Sequence, residues 1–163
     1  YTQWDCRLDG KLAQALAAIP AIKGVGFGDG FALADVPGSL AHDALRADAL
    51  HGVSRVTNHA GGLEGGMTNG ETLVVQAVMK PIPTLMKPLA SVSLQDGSQA
   101  FASTERSDAC AVPAAAVVAE MMTAWVIACA VREKFGGDFI EDVLAAVDAY
   151  KTRIAQGAAP WQV

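Results

Sequence analysis

The chain has 163 residues and a formal net charge of −5, a size at which one domain can bury a core of its own. That charge excludes a general nucleic-acid binder, which needs a basic face, so any anionic ligand must meet a local cluster of cations. Cys6, Cys110 and Cys129 form no C-x-x-C and are odd in number, and with no signal-peptide pattern they point to small buried side chains in a reducing, cytoplasmic setting. The first residues, Tyr1-Thr2-Gln3-Trp4-Asp5, lack an initiator methionine and read as if cut from something longer.

Leu8, Leu12, Ala15, Leu16 and Ile19 recur at helical spacing, which predicts an amphipathic helix over 7–19 closed by Pro20. Ile22 to Phe31 follows with Gly24, Gly26, Gly28 and Gly30 at alternate positions. The spacing is not that of a dinucleotide-binding fingerprint and predicts an extended segment with one bare face. Residues 34–52 read as a mixed loop turned at Pro37-Gly38, in which His42 and His51 have no assigned role. Val53 to Thr57 can form a short strand.

The stretch around which the rest is organised is Asn58-His59-Ala60-Gly61-Gly62-Leu63-Glu64-Gly65-Gly66-Met67-Thr68-Asn69-Gly70. So many glycines cannot be helix interior, and a close backbone approach is their natural use. The β-branched run Leu73 to Met79 reads as a buried strand that delivers Lys80 to the stiff rim Pro81-Ile82-Pro83-Thr84. Glu64 and Glu71, flanking the loop, read as solvated.

Leu89 to Leu94 and Gln99 to Ser103 flank Gln95-Asp96-Gly97-Ser98, a hairpin signal. Pro113 stands where the first helical residue prefers to be, and from Ala109 to Val131 only Glu120 is charged. That run is long enough to cross a bilayer. Its many alanines and internal Trp125 favour instead a helix packed on all sides by a sheet and a second helix. Gly136-Gly137 ends it. Asp138 and Glu141 resemble a capping box, and Phe139, Ile140, Val143, Leu144, Val147 and Tyr150 line one face of a last helix reaching about Ala155. The remaining tail reads as loose. The sum is α+β, an antiparallel sheet covered by long helices.

Lys80 and Arg106 leave two predicted strands. If both strands belong to one sheet, the two cations can hold an anion such as phosphate, with loop N–H groups completing the cradle. The alternative is two exposed loop cations. Asp108 either caps the following helix or acts as a base tuned by an apolar surround. No Ser-His-Asp, Cys-His or metal-ligand spacing is present.

The loop motif at 58–70, Met79-Lys80-Pro81-Ile82-Pro83-Thr84, Arg106-Ser107-Asp108-Ala109-Cys110-Ala111-Val112-Pro113-Ala114 and Glu133-Lys134-Phe135-Gly136-Gly137-Asp138 resemble, in order, the carboxy-terminal part of chorismate synthase. Ile22-Lys23-Gly24-Val25 and Gly28-Asp29-Gly30-Phe31 are similar too. The resemblance covers nearly the whole chain as a single domain and implies one half of a β-α-β sandwich, from a cytoplasmic homotetrameric flavoprotein lyase of the shikimate pathway. The family eliminates phosphate from 5-enolpyruvylshikimate 3-phosphate to give chorismate, using reduced FMN that a flavin reductase or NADPH-dependent reduction supplies.

By resemblance, Pro20, Ala21, Gly65, Lys80, Pro81, Ile82, Pro83, Thr84 and Arg106 would hold the flavin. Asp108 would assist proton removal, and Arg106 would also lie near the substrate. The family's Gly-Val-Glu is here Gly24-Val25-Gly26, and its amino-terminal half, with two histidines and several arginines, is absent. His42, His51 and His59 match neither of those histidines. The resemblance therefore implies part of an active site. The alternatives are a catalytically incomplete packing or oligomerisation module and, for residues 111–131, a membrane anchor.

Overall fold

The computed structural model describes residues 3–48, 52–106 and 108–157; His51, Ser107 and the residues after 157 lie outside the described residues. Helix α1 spans Leu8–Ala17, and its apolar stripe is the heart of the molecule, with Leu12 and Leu16 fully buried. Leu16, Ile19 and Ile22 form a cluster against which Val25, Val75, Met79, Ala119 and Met122 pack. The core thus sits where one helix meets one strand pair and the side of a second helix.

That strand pair is β1, Ile22–Phe27, and β6, Val75–Met79, antiparallel with Ile22 opposite Met79 and Phe27 opposite Val75. The extended segment is shorter than the glycine alternation predicts. At Gly28 φ is +56°, and the chain leaves the strand for a 3-10 helix at Gly30–Asp35. Nor is β6 buried as its β-branched run predicts, since Val78 is 62% exposed. The region expected to be a loop holds that 3-10 turn, a short α2 at Gly38–Ala41 and β2 at Leu45–Asp48. Strand β2 pairs with β3, Gly52–Arg55.

The glycine loop contains a hairpin that its composition conceals: β4, Leu63–Glu64, against β5, Met67–Thr68. The Asp-Gly hairpin forms as predicted, β7 at Ala90–Val92 with β8 at Gln99–Phe101. All pairings are antiparallel and the architecture is α+β, but among the described residues the strands make four separate two-stranded sheets, not one.

Helix α3, Val112–Phe135, starts one residue before Pro113 and ends at Gly136; α4 spans Ile140–Gly157. Asp138 does not close a capping box there; its side chain is 98% exposed and lies 4.0 Å from Arg132. Phe135 meets Tyr150 edge-on at 5.5 Å, and Val143 of α4 is buried, while Phe139, Ile140 and Leu144 face solvent. The packing expected around α3 is largely missing. Val117, Met121 and Trp125 are all more than half exposed, because the described residues cover α3 along one side only, through α1 and the Lys11–Glu133 ion pair of 2.8 Å.

Candidate functional site

Helix α1 ends in a tight turn in which the Ile22 N–H donates to the Ile19 carbonyl over 3.2 Å. Pro20 occupies the second turn position and Ala21, at φ +69°, the third. This is the sign pattern of a type II turn, whose third position ordinarily needs glycine. An alanine there stores roughly 1–2 kcal/mol of strain. The Ala21 carbonyl accepts the Lys80 N–H at 2.9 Å, so Pro20-Ala21 and the exit of β6 are joined backbone to backbone. Beyond it Lys80, Pro81 and Pro83 are exposed, and Ile82 and Thr84 are half-buried.

Arg106 lies five residues beyond the end of β8 at Phe101, a strand in a different sheet from the one that leads to Lys80. Its guanidinium binds the Asp108 carboxylate through Nε at 2.6 Å and Nη2 at 2.9 Å, with the two side chains 88% and 62% exposed. Asp108 does not cap α3, whose N-cap is Ala111 without a side-chain bond. The described residues supply no apolar surround that would raise its pKa; the hydrogen bond from Arg106 holds its carboxyl below the usual carboxylate range.

The glycine loop is fastened by residues that spacing alone did not single out. Asp43 accepts from the Thr57 hydroxyl at 2.6 Å and from the His59 and Ala60 N–H groups at 2.7 and 2.9 Å. Asn58 accepts from Gly62 N and donates to the Thr72 carbonyl, each at 2.8 Å, and His59 Nδ1 lies 2.5 Å from the Asp29 carboxylate. A Cβ on Gly61 would stand 2.1 Å from Gly28 N, so the close backbone approach expected of the loop occurs here, against the end of β1. Glu64 and Glu71, expected to be solvated, both engage Arg55. Asn58 and Asp29 carried a signal, as an asparagine and an acid beside the glycines of their stretches, whereas Asp43 has no glycine neighbour and carried none.

Gly65 and Gly66, at φ +58° and +80°, form the two-residue turn of the β4–β5 hairpin, a type I′ pattern that glycine serves. Space around Gly65 is open, with nothing within 4 Å of a built Cβ. The Gly66 carbonyl accepts Leu8 N–H at 2.9 Å, which places this turn at the start of α1. Ala21 and Lys80 lie just past its end. A ten-residue helix is about 15 Å long, so within one chain the two groups of expected flavin contacts stand about one helix length apart.

The cavities among the described residues include two beside α3. A groove of about 590 Å³ runs between the β1–β6 ribbon and α3, walled by Ile22, Val75, Met79, Ala119 and Thr123. A smaller one of about 290 Å³ lies between the β5 end of the hairpin and the α3–α4 junction, with Lys11, Lys134 and Tyr150 on its rim. None of Lys80, Arg106 or Asp108 lines either.

A strained proline turn bonded to a lysine-bearing strand exit, with an open glycine hairpin at the other end of one helix, is the arrangement that this α+β chain presents. The family model for chorismate synthase matches residues 2–131. The chorismate synthase of Moorella thermoacetica is 59% identical over 151 residues, covering 93% of this chain and 39% of the relative. That of Mycobacterium avium is 52% identical over 160 residues, covering 98% and 40%. A crystal structure of chorismate synthase superposes with a TM-score of 0.76 at 42% identity, covering 93% of this chain and 38% of the other. The chain belongs to the chorismate synthase family, and it spans about two fifths of the length of these relatives.

Proposed function

We propose that this chain is the carboxy-terminal portion of a chorismate synthase and carries part of its flavin site. In the whole enzyme, a cytoplasmic homotetrameric lyase, phosphate is eliminated from 5-enolpyruvylshikimate 3-phosphate to give chorismate. Reduced FMN, kept reduced by a flavin reductase or by NADPH, supplies electron donation there without net consumption. The observation that carries this reading is the bond between Ala21 and Lys80. It unites two of the stretches that the family resemblance assigns to the flavin, at a backbone strained as functional sites often are.

The residues present fit such a ligand. Lys80 and Arg106 are exposed cations suited to anionic groups, Pro81 and Pro83 stiffen the rim, and Gly65 leaves room for a close approach. Asp108 is ionised at neutral pH and able to accept a proton, but its bidentate bond to Arg106 makes it a weak base. An anionic ligand that draws the guanidinium away would restore ordinary carboxylate basicity, which ties proton removal to ligand occupancy.

Titration with reduced FMN under anaerobic conditions, together with phosphate release from 5-enolpyruvylshikimate 3-phosphate, tests the reading. Flavin binding without turnover is expected of this chain. Turnover would overturn the claim of an incomplete site, and no binding at millimolar flavin would overturn the flavin reading. A second reading, a packing module without activity, is favoured by the bare apolar flank of α3 and predicts association with no flavin binding.

A further inference from the structure

We propose that Arg55 is the positioning residue of the Gly65 turn, setting where the glycine hairpin presents its backbone; its bearing on the cofactor rests on the reading that Gly65 touches flavin. Arg55 ends β3, and its side chain is only 19% exposed. Its N–H donates to Glu71 Oε1 at 3.0 Å, and Nη1 donates to the Asn69 carbonyl at 3.2 Å. Nη2 pairs with the Glu64 carboxylate, which also accepts from Asn69 Nδ2 at 2.9 Å. Glu64 immediately precedes the Gly65–Gly66 turn, and Asn69 immediately follows β5. One planar guanidinium therefore clasps both arms of the hairpin.

The hairpin needs such a clasp. Each of its strands has two residues, and an isolated two-stranded hairpin is marginal in water even when longer. Nothing packs on Gly65 itself, so its place is set by what holds its neighbours. Arg55 Nε is buried without a hydrogen-bond partner, a penalty that an arginine free to turn towards water would avoid. Only a fork-shaped donor set reaches Glu64 and the Asn69 carbonyl together, which a lysine ammonium cannot match.

The test compares Arg55→Met, Arg55→Lys and Glu64→Gln in the full chain by amide hydrogen exchange and by affinity for reduced FMN. Arg55→Met is expected to speed exchange at residues 65–68 by about tenfold or more, the loss of a charge-assisted bond, while β1–β6 amides are unchanged. Flavin affinity is expected to fall about tenfold as well. Arg55→Lys should recover part of both effects. Adding Glu64→Gln to Arg55→Met should change little, because the two residues act as one unit. Unchanged hairpin exchange in Arg55→Met, or full additivity with Glu64→Gln, overturns the positioning role. Should Arg55→Met fail to fold, Arg55→Lys and Glu64→Gln decide by the same readouts. A native chain that binds no flavin removes the flavin reading alone, and exchange then decides the role of Arg55.

Discussion

Ala21 concentrates the strain of the site in a single residue. Its positive φ belongs to a turn position made for glycine, so Ala21→Gly relieves about 1 kcal/mol after the entropy it adds to the unfolded chain. The expected gain in thermal midpoint is about 2–4 °C, measured by calorimetry; a loss would show that the turn is not strained. Gly61 and Gly65 make a matched pair. Gly61→Ala drives a Cβ into Gly28 and is expected to cost about 2–5 kcal/mol. Gly65→Ala meets open space and is expected to cost only the conformational part, about 1–2 kcal/mol. Denaturant titration separates the two.

Asp108 supplies the pH prediction at this scale. Its folded pKa is depressed by Arg106, so the contribution of the pair is present above the ordinary carboxylate value of 3.8 and is lost as pH falls through the folded one. Carboxyl NMR should place its midpoint below 3.8, and Arg106→Gln should move that midpoint upward.

At the scale of elements, α3 shows what a sequence can and cannot reveal. Its ends were legible, because Pro113 and Gly136 punctuate it, and so was its uniform apolarity, with mean hydropathy 2.0 in its most apolar window. Its burial was not legible. Composition says that a helix needs cover on every side, but not whether the same chain provides it, and only 6% of that window is buried. The length and composition that permit a membrane span remain, while α1 and α4 pack against its side and end. At concentrations where the chain is monomeric, Trp125→Lys, on the exposed flank, is expected to change stability by less than about 0.5 kcal/mol, whereas Leu16→Ala in the core should cost about 2–5 kcal/mol. Unfolding curves that reverse this order would place the core elsewhere. The hairpins divide in the same way. Asp96-Gly97 announced one, whereas Gly65-Gly66 was hidden, because a glycine-rich stretch offers no alternation to read.

The whole molecule exposes 12224 Å², against about 7,700 Å² for a compact monomer of 16.8 kDa by the usual scaling. The excess of about 4,500 Å² on one chain is more than the share each partner contributes to most obligate interfaces. Sedimentation velocity is expected to show concentration-dependent association that Trp125→Lys weakens; a compact monomer at all concentrations would contradict it. The family was legible from ordered motifs, but the disposition of the site was not. Spacing along the chain left open whether Lys80 and Arg106 leave one sheet or stand as two exposed loop cations, because pairing is set by tertiary contacts, and these put the strands that precede them in separate ribbons. Anchors such as Asp43 and Arg55 escaped notice because their partners lie 14 or more residues away for the former and on a hairpin that was not predicted for the latter.

Amide chemical-shift mapping of the labelled chain during titration with reduced FMN bears most directly on the flavin reading. Perturbations centred on Ala21, Lys80 and Ile82, with Gly65 and Arg106 following as the site fills, are the expected footprint. A footprint that spares these residues and falls in the groove between the β1–β6 ribbon and α3 would contradict it.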